Sequence, residues 1–228
     1  TALAVLILWV GWFGFNAGST VSVGDAFFGF VALNTNLAAA AGVVAATLIS
    51  WLVLGKSDIP TILNGALAGL VAITASCAFV DVWASVVIGF VAGILVFFSC
   101  RFFEKRKIDD PIFALSVHGA AGIWGTLSNG LFATPELAST GKAGLFYGGG
   151  FDQLWVQFYG VVVCGAFAFG VSFAILWIMK LVMGTIRVSE EEEIMGLDIS
   201  EHGSYGYPEQ MSTETVVTSS VKEQQLRV

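Results

Sequence analysis

No charged side chain interrupts the sequence between residues 27 and 54. Coiled as a helix, that stretch reaches about 42 Å, more than the ~30 Å hydrocarbon core of a bilayer. It is one of six apolar segments, at roughly 1–16, 27–54, 61–81, 84–103, 111–133 and 154–183. Polar or turn residues bound each one, among them GKSDIP at 55–60 and EKRKIDDP at 104–111. The connection around Val80–Trp83 is short enough for an antiparallel helical hairpin. Residues 134–153 are glycine-rich, contain Pro135, and read as a loop. Charged residues make up 12% of the chain, against about 25% in soluble domains. The expected fold is an all-α membrane protein, a bundle of six transmembrane segments.

The chain carries a formal charge of −7. Nearly all of it falls in residues 185–228, which include the run Glu190–Glu193, while residues 1–184 are close to neutral. The expected division is a transmembrane domain at 1–184 and a polar tail at 185–228. Residues 210–228, rich in Ser, Thr and Glu, read as disordered. Basic side chains orient the spans. One face receives Lys56, Arg101, Lys105, Arg106, Lys107, Lys180 and Arg187, and the other only Lys142. The first face is therefore expected to be cytoplasmic, and the tail with it. Residues 1–16 give only about 24 Å of helix, which suggests a chain that begins inside a span, with an upstream part missing.

Small residues recur at close-packing spacing: Gly65 and Gly69, Gly89 and Gly93, and Gly119, Gly122 and Gly125. Asp110 and Pro111 read as the N-cap and first residue of the fifth span. His118 follows, about 10 Å further along a helix. Its helical neighbours Ala114, Leu115, Ala121, Gly122 and Gly125 carry no charge. Such an imidazole is either satisfied by a nearby carbonyl or hydroxyl or faces a narrow apolar passage. Ionisable groups inside a membrane are expensive, which favours use over accident. In the first segment, Trp12, Phe13 and Phe15 precede Asn16 and Ser19. This is either an interfacial aromatic belt or a weak cation site built from ring faces and a hydroxyl. Cys77, Cys100 and Cys164 read as buried apolar residues without a disulfide or zinc pattern.

Four stretches, ILWVGWFGFNAGS (7–19), GALAGLVAITASCAFV (65–80), DDPIFALSVHGAAGIWGTLSNGLFA (109–133) and EEEIMGLDISEHGSYGYPE (191–209), together resemble the ammonium transporter (Amt/Mep/Rh) family, in its Amt branch. The resemblance covers essentially the whole chain and falls on the second half of that fold. It implies the second inverted repeat plus the last helix of an eleven-helix transporter. It also implies that the first repeat, with its own pore histidine and a second gate phenylalanine, precedes Thr1.

By the same resemblance, His118 is the pore histidine of the second repeat and Phe15 one of the stacked gate phenylalanines. Ser19 helps recruit the cation, and Trp12 and Thr74 match further motif positions. Gly196 and Ser200 fall in a regulatory tail motif, Ser200 where plant relatives carry a phosphorylated threonine. The implied substrate is ammonium or ammonia, with methylammonium as analogue. The implied setting is a homotrimer, multi-pass in the plasma membrane, with a cytoplasmic regulator at the tail. The alternatives are an ammonium sensor of the same fold and the Rh branch. No nucleophile–base pair, phosphate loop, metal or cofactor motif or nucleic-acid feature is expected, so an enzyme is not.

Overall fold

The computed structural model describes residues 2–24, 26–137, 141–204 and 206; the tail segment 210–228, expected to be disordered, lies outside them. Among the described residues the chain is helical, with no strand beyond one antiparallel bridge between Val80 and Ala133. The elements are α1 (Ala2–Trp12), α2 (Phe27–Leu54), α3 (Ile59–Thr74), α4 (Val82–Lys105), α5 (Ala121–Phe132), α6 (Asp152–Met183), α7 (Glu190–Met195) and α8 (Leu197–His202). A π-turn at Phe13–Ala17 and a 3-10 turn at Gly18–Thr20 extend α1, and a π-turn at Leu115–Ala120 leads into α5. Among the described residues, four helical stretches are long and apolar enough to cross a membrane: Ala2–Thr20, Phe27–Leu54, Val82–Lys105 and Asp152–Met183. The chain divides into two compact units, residues 1–166 and 167–228.

The first unit is organised around α2, which packs against both α3 and α4. Alanine and glycine make that possible. A Cβ added at Gly89 would lie 2.0 Å from the Ala38 carbonyl oxygen, and one at Gly69 would lie 2.4 Å from the same atom. At Gly93 and Gly42 an added Cβ would meet the carbonyls of Gly42 and Gly65 at 2.4 and 2.3 Å. Gly125 brings α5 onto α3 in the same way, with Ala72 O 2.2 Å from the added atom. Backbones therefore touch where side chains would normally stand between them, and dispersion over those contacts holds helices together in lipid. Gly119 and Gly122 lack any such backbone contact, so only Gly125 of that triplet serves close packing. Around the seams lie the buried side chains of Val31, Ala68, Ile73, Ile88, Ala92, Val96 and Val117.

The third span is shorter than its hydropathy suggests. Asp58 caps α3, accepting from the Thr61 N–H at 3.0 Å and its hydroxyl at 2.7 Å. Those bonds hold the Asp58 carboxyl below its usual pKa, the Thr61 hydroxyl most of all, against an opposing desolvation. The helix stops at Thr74, and turns at residues 75–79 followed by the bridge residue Val80 replace the expected continuation to 81. Buried Asn34 of α2 explains the stop: its Nδ2 donates to the carbonyls of Cys77 at 2.9 Å and Val80 at 3.0 Å. A side-chain amide thus satisfies acceptors that helical bonding would otherwise have used.

No residue of α6 is buried. In the second unit, Ser189 and Glu192 form a reciprocal capping box at the start of α7. Arg187 pairs with Glu193 at 3.4 Å across an exposed surface. Replacing Gly89 with leucine forces α4 off α2 and should cost at least 2 kcal/mol. The expected readout is a lower thermal unfolding midpoint in detergent, and an unchanged midpoint would contradict the contact.

Candidate functional site

Two backbone irregularities build the site. In each, one N–H reaches back five residues: Gly18 N–H to Phe13 O, and Ala121 N–H to Ser116 O. Such π-turns are rare in soluble helices and concentrate at functional sites. Phe15 rides on the first and His118 on the second. The first is tied down from beneath. Buried Asn16 donates through Nδ2 to Thr35 Oγ1 at 3.1 Å, and that hydroxyl donates on to Val31 O at 2.7 Å. Holding Asn16 against α2 turns its neighbour Phe15 outward, where it is 60% exposed.

The second π-turn differs from the expected N-cap arrangement. Asp110 and Pro111 do not start the helix. Residues 110–113 form a turn that ends with Phe113 at φ +56°, and the helix starts at Ala114, its first bond running from Val117 N–H to Phe113 O at 2.8 Å. The Asp110 carboxylate still serves the helix start from outside it. It accepts from the N–H groups of Leu115 and Ser116 at 3.0 and 3.1 Å, and from the Ser116 hydroxyl at 3.2 Å. Pro111 sets the turn instead of filling the first helical position. His118 consequently stands about one turn from the helix start, nearer that end than a count from Pro111 gives.

Two cavities adjoin at Phe15. One, of about 600 Å³, is an apolar groove lined by Ile7, Leu8, Trp12, Phe15, Val71, Thr74 and His118. The other, also about 600 Å³, is a more polar vestibule whose lining includes Asn16, Ser19, Thr20 and Glu136. Phe15 and Thr74 line both. The His118 ring makes no hydrogen bond or ion pair with any described residue. It lies on the groove rather than between packed helices.

The residues grouped by sequence as recruiting ones sit differently from one another. Ser19 lines the vestibule and donates its hydroxyl proton to Phe15 O, which leaves oxygen lone pairs as acceptors. Trp12 lies on the groove side of Phe15. Its Nε1–H donates to Thr74 Oγ1 at 2.9 Å, and the Thr74 hydroxyl donates to Leu70 O at 2.7 Å. The Trp12 ring meets Phe15 edge-on, centroids 5.8 Å apart at 76°. Thr74 and Trp12 therefore form a strut that sets the angle of the Phe15 ring. Sequence reasoning missed Thr35 and Glu136 and gave Asn16 no role of its own. Asn16 was visible in the motif, but nothing in its spacing announced a π-turn.

Smaller cavities of about 190 and 220 Å³ lie among Cys100, Glu104 and Phe113, the second reaching Asp110. In the second unit, Gly196 follows α7 at φ +90°, where its N–H bonds to Glu192 O, and Ser200 lies exposed on α8.

A sequence model described as the Ammonium Transporter Family matches residues 1–207. The chain is 48% identical over 226 residues to ammonium transporter Amt2 of Archaeoglobus fulgidus, covering 97% of this chain and 48% of that protein. An ammonium transporter of Bacillus subtilis is 40% identical over 213 residues, covering 92% of this chain and 52% of its own length. Among solved structures, one described as a Sensor Amt Protein aligns with a TM-score of 0.80 at 38% identity, over 88% of this chain and 48% of that one. Candida albicans Mep2 aligns at 0.77 and 34%, over 84% of this chain and 43% of its own. The chain spans about half the length of the curated relatives it matches.

Removing the Asp110 carboxylate leaves the Leu115 and Ser116 N–H groups uncapped. Asp110→Ala should cost about 1 kcal/mol, while Asp110→Asn, which keeps an acceptor oxygen, should retain part of it. Equal thermal midpoints for wild type and Asp110→Ala in detergent would refute the capping role.

Proposed function

We propose, since this chain belongs to the ammonium transporter family, that its vestibule and groove are one wall of a path on which ammonium is recruited, deprotonated and passed onward as ammonia. The membrane setting follows from the family and the apolar helices. The observation that carries the mechanism is the junction of the two cavities at Phe15, with hydroxyl acceptors on one side and His118 in an apolar groove on the other.

The energetics favour losing the proton. A bare monovalent cation in an apolar passage costs tens of kcal/mol in the Born limit. Ammonium titrates roughly two units above neutrality, so deprotonation costs about 3 kcal/mol. Ser19 Oγ accepts an N–H of the arriving cation, and the Phe15 ring face adds cation–π attraction. Past Phe15 the lining is mostly apolar, with the Trp12 indole and Thr74 hydroxyl engaged with each other and the His118 imidazole beside them. Neutral histidine accepts one hydrogen bond and donates another, which suits a molecule that does both. Potassium has no proton to lose and is excluded by the same step.

Residues 1–184 form the membrane part in this reading, and residues 185–228 are a regulatory tail on the cytoplasmic side of the plasma membrane. Homotrimeric assembly and a cytoplasmic regulator at the tail belong to it as well. Phosphorylation of exposed Ser200 would place nearly two negative charges between Asp198 and Glu201. A second reading, an ammonium sensor signalling through its tail, draws on the likeness to the Sensor Amt Protein. Net flux in proteoliposomes separates the two.

His118→Ala should abolish selective methylammonium uptake while leaving the protein folded; unchanged uptake would contradict the pore role. Ser200→Asp should lower flux with no change in thermal midpoint, and wild-type flux in that variant would count against a regulatory tail.

A further inference from the structure

We propose that Glu136 is the recruiting charge of the vestibule: a carboxylate that concentrates ammonium in front of Phe15 before any hydroxyl or ring engages it. The proposal rests on the transport reading above and adds a residue to it. Among the described residues that line the vestibule, Glu136 is the sole charged side chain; the others are apolar, hydroxyl or amide groups. It forms no ion pair or hydrogen bond with any described residue, and Lys142, the basic residue nearest in sequence, is engaged by Asp152. Its charge is therefore open to a mobile counter-ion.

The backbone that presents Glu136 is held at several points. Val80 and Ala133 form the antiparallel bridge, Thr134 N–H donates to Phe79 O at 2.9 Å, and Gly144 N–H donates to Ala133 O at 2.7 Å. Further along the loop, the Tyr147 hydroxyl donates to Asp81. The Phe132 ring lies between Trp83 and Phe146, with centroids 5.6 and 5.2 Å away. The Tyr147 phenol is pushed above its ordinary pKa by desolvation first, then by its bond to Asp81 and the charges of Asp81 and Glu136. The loop thus fixes a negative charge at the rim, on the side of Phe15 away from His118.

A charge at that place attracts any monovalent cation and does not take part in proton transfer. It acts on encounter, so its loss changes the concentration at which transport half-saturates and spares the maximal rate. Salt screens it, because the site is open to water.

The test is methylammonium uptake into proteoliposomes holding wild type, Glu136→Gln or Glu136→Asp, at low and high ionic strength. Glu136→Gln should raise KM about three- to fivefold at low salt, the scale of one unit-charge contact in water. Maximal uptake should be unchanged, the difference should vanish at high salt, and Glu136→Asp should restore most of the wild-type KM. A KM for Glu136→Gln equal to wild type at low salt overturns the proposal and leaves the transport reading standing. Loss of maximal uptake at unchanged KM also overturns it, since that pattern belongs to a structural residue. Wild-type protein without saturable uptake defeats the transport reading itself, and this proposal with it.

Discussion

Contact between bare backbones carries the rest of this structure. Helices in lipid gain nothing from hiding apolar side chains, because lipid tails are as apolar as leucine. The seams of α2 with α3 and α4 depend instead on glycine and alanine, which let carbonyl oxygens of one helix sit where a neighbour's Cβ would be. These seams fix α3 and α4 rigidly. Thr74 at the end of α3 then has a defined place, and with it Trp12 and the ring of Phe15. Gly125 extends the arrangement to α5, whose leading π-turn carries His118. The groove is the space left where side chains resume between α1, α3 and that π-turn.

Much of this was legible in the sequence, for reasons that can be assigned residue by residue. Apolar length marked the spans at 27–54 and 84–103 because a continuous apolar run long enough to cross lipid satisfies its own backbone there as a helix. Gly65, Gly69, Gly89 and Gly93 announced close packing by their spacing, and the structure gives each a backbone or Cβ partner under 3 Å from an added carbon. His118 stood out because lipid solvates it badly. The ring lines the apolar groove together with Trp12, Phe15 and Val71.

What was not legible has a common cause. The early end of α3, the Asp110 turn and the two π-turns all involve polar side chains whose partners hydropathy does not register, in other segments for Asn34 and Asn16 and in the next turn for Asp110. Asn34 terminates α3 from a position 43 residues before Cys77. Hydropathy treats Thr74 to Val80 as one more apolar run, because it counts side chains and ignores carbonyls that need donors. Pro111 after Asp110 fits a helix start by local rules, yet Phe113 at positive φ displaces that start, and only the folded carboxylate geometry reveals it. Glu136 escaped notice because a single acid in a polar loop has no periodicity. It acquires meaning only when the loop folds back over Phe79.

The clasp made by Asn34 reaches further than the end of one helix. Its two carbonyl partners bracket Ala78 and Phe79, which line the mouth in front of Phe15, and Phe79 O in turn holds Thr134, two residues before Glu136. One amide in the dry interior of α2 thus governs both the contour of the entrance and the posture of its acid. A change at this one position of α2 can therefore reshape the mouth while every residue that lines it stays the same.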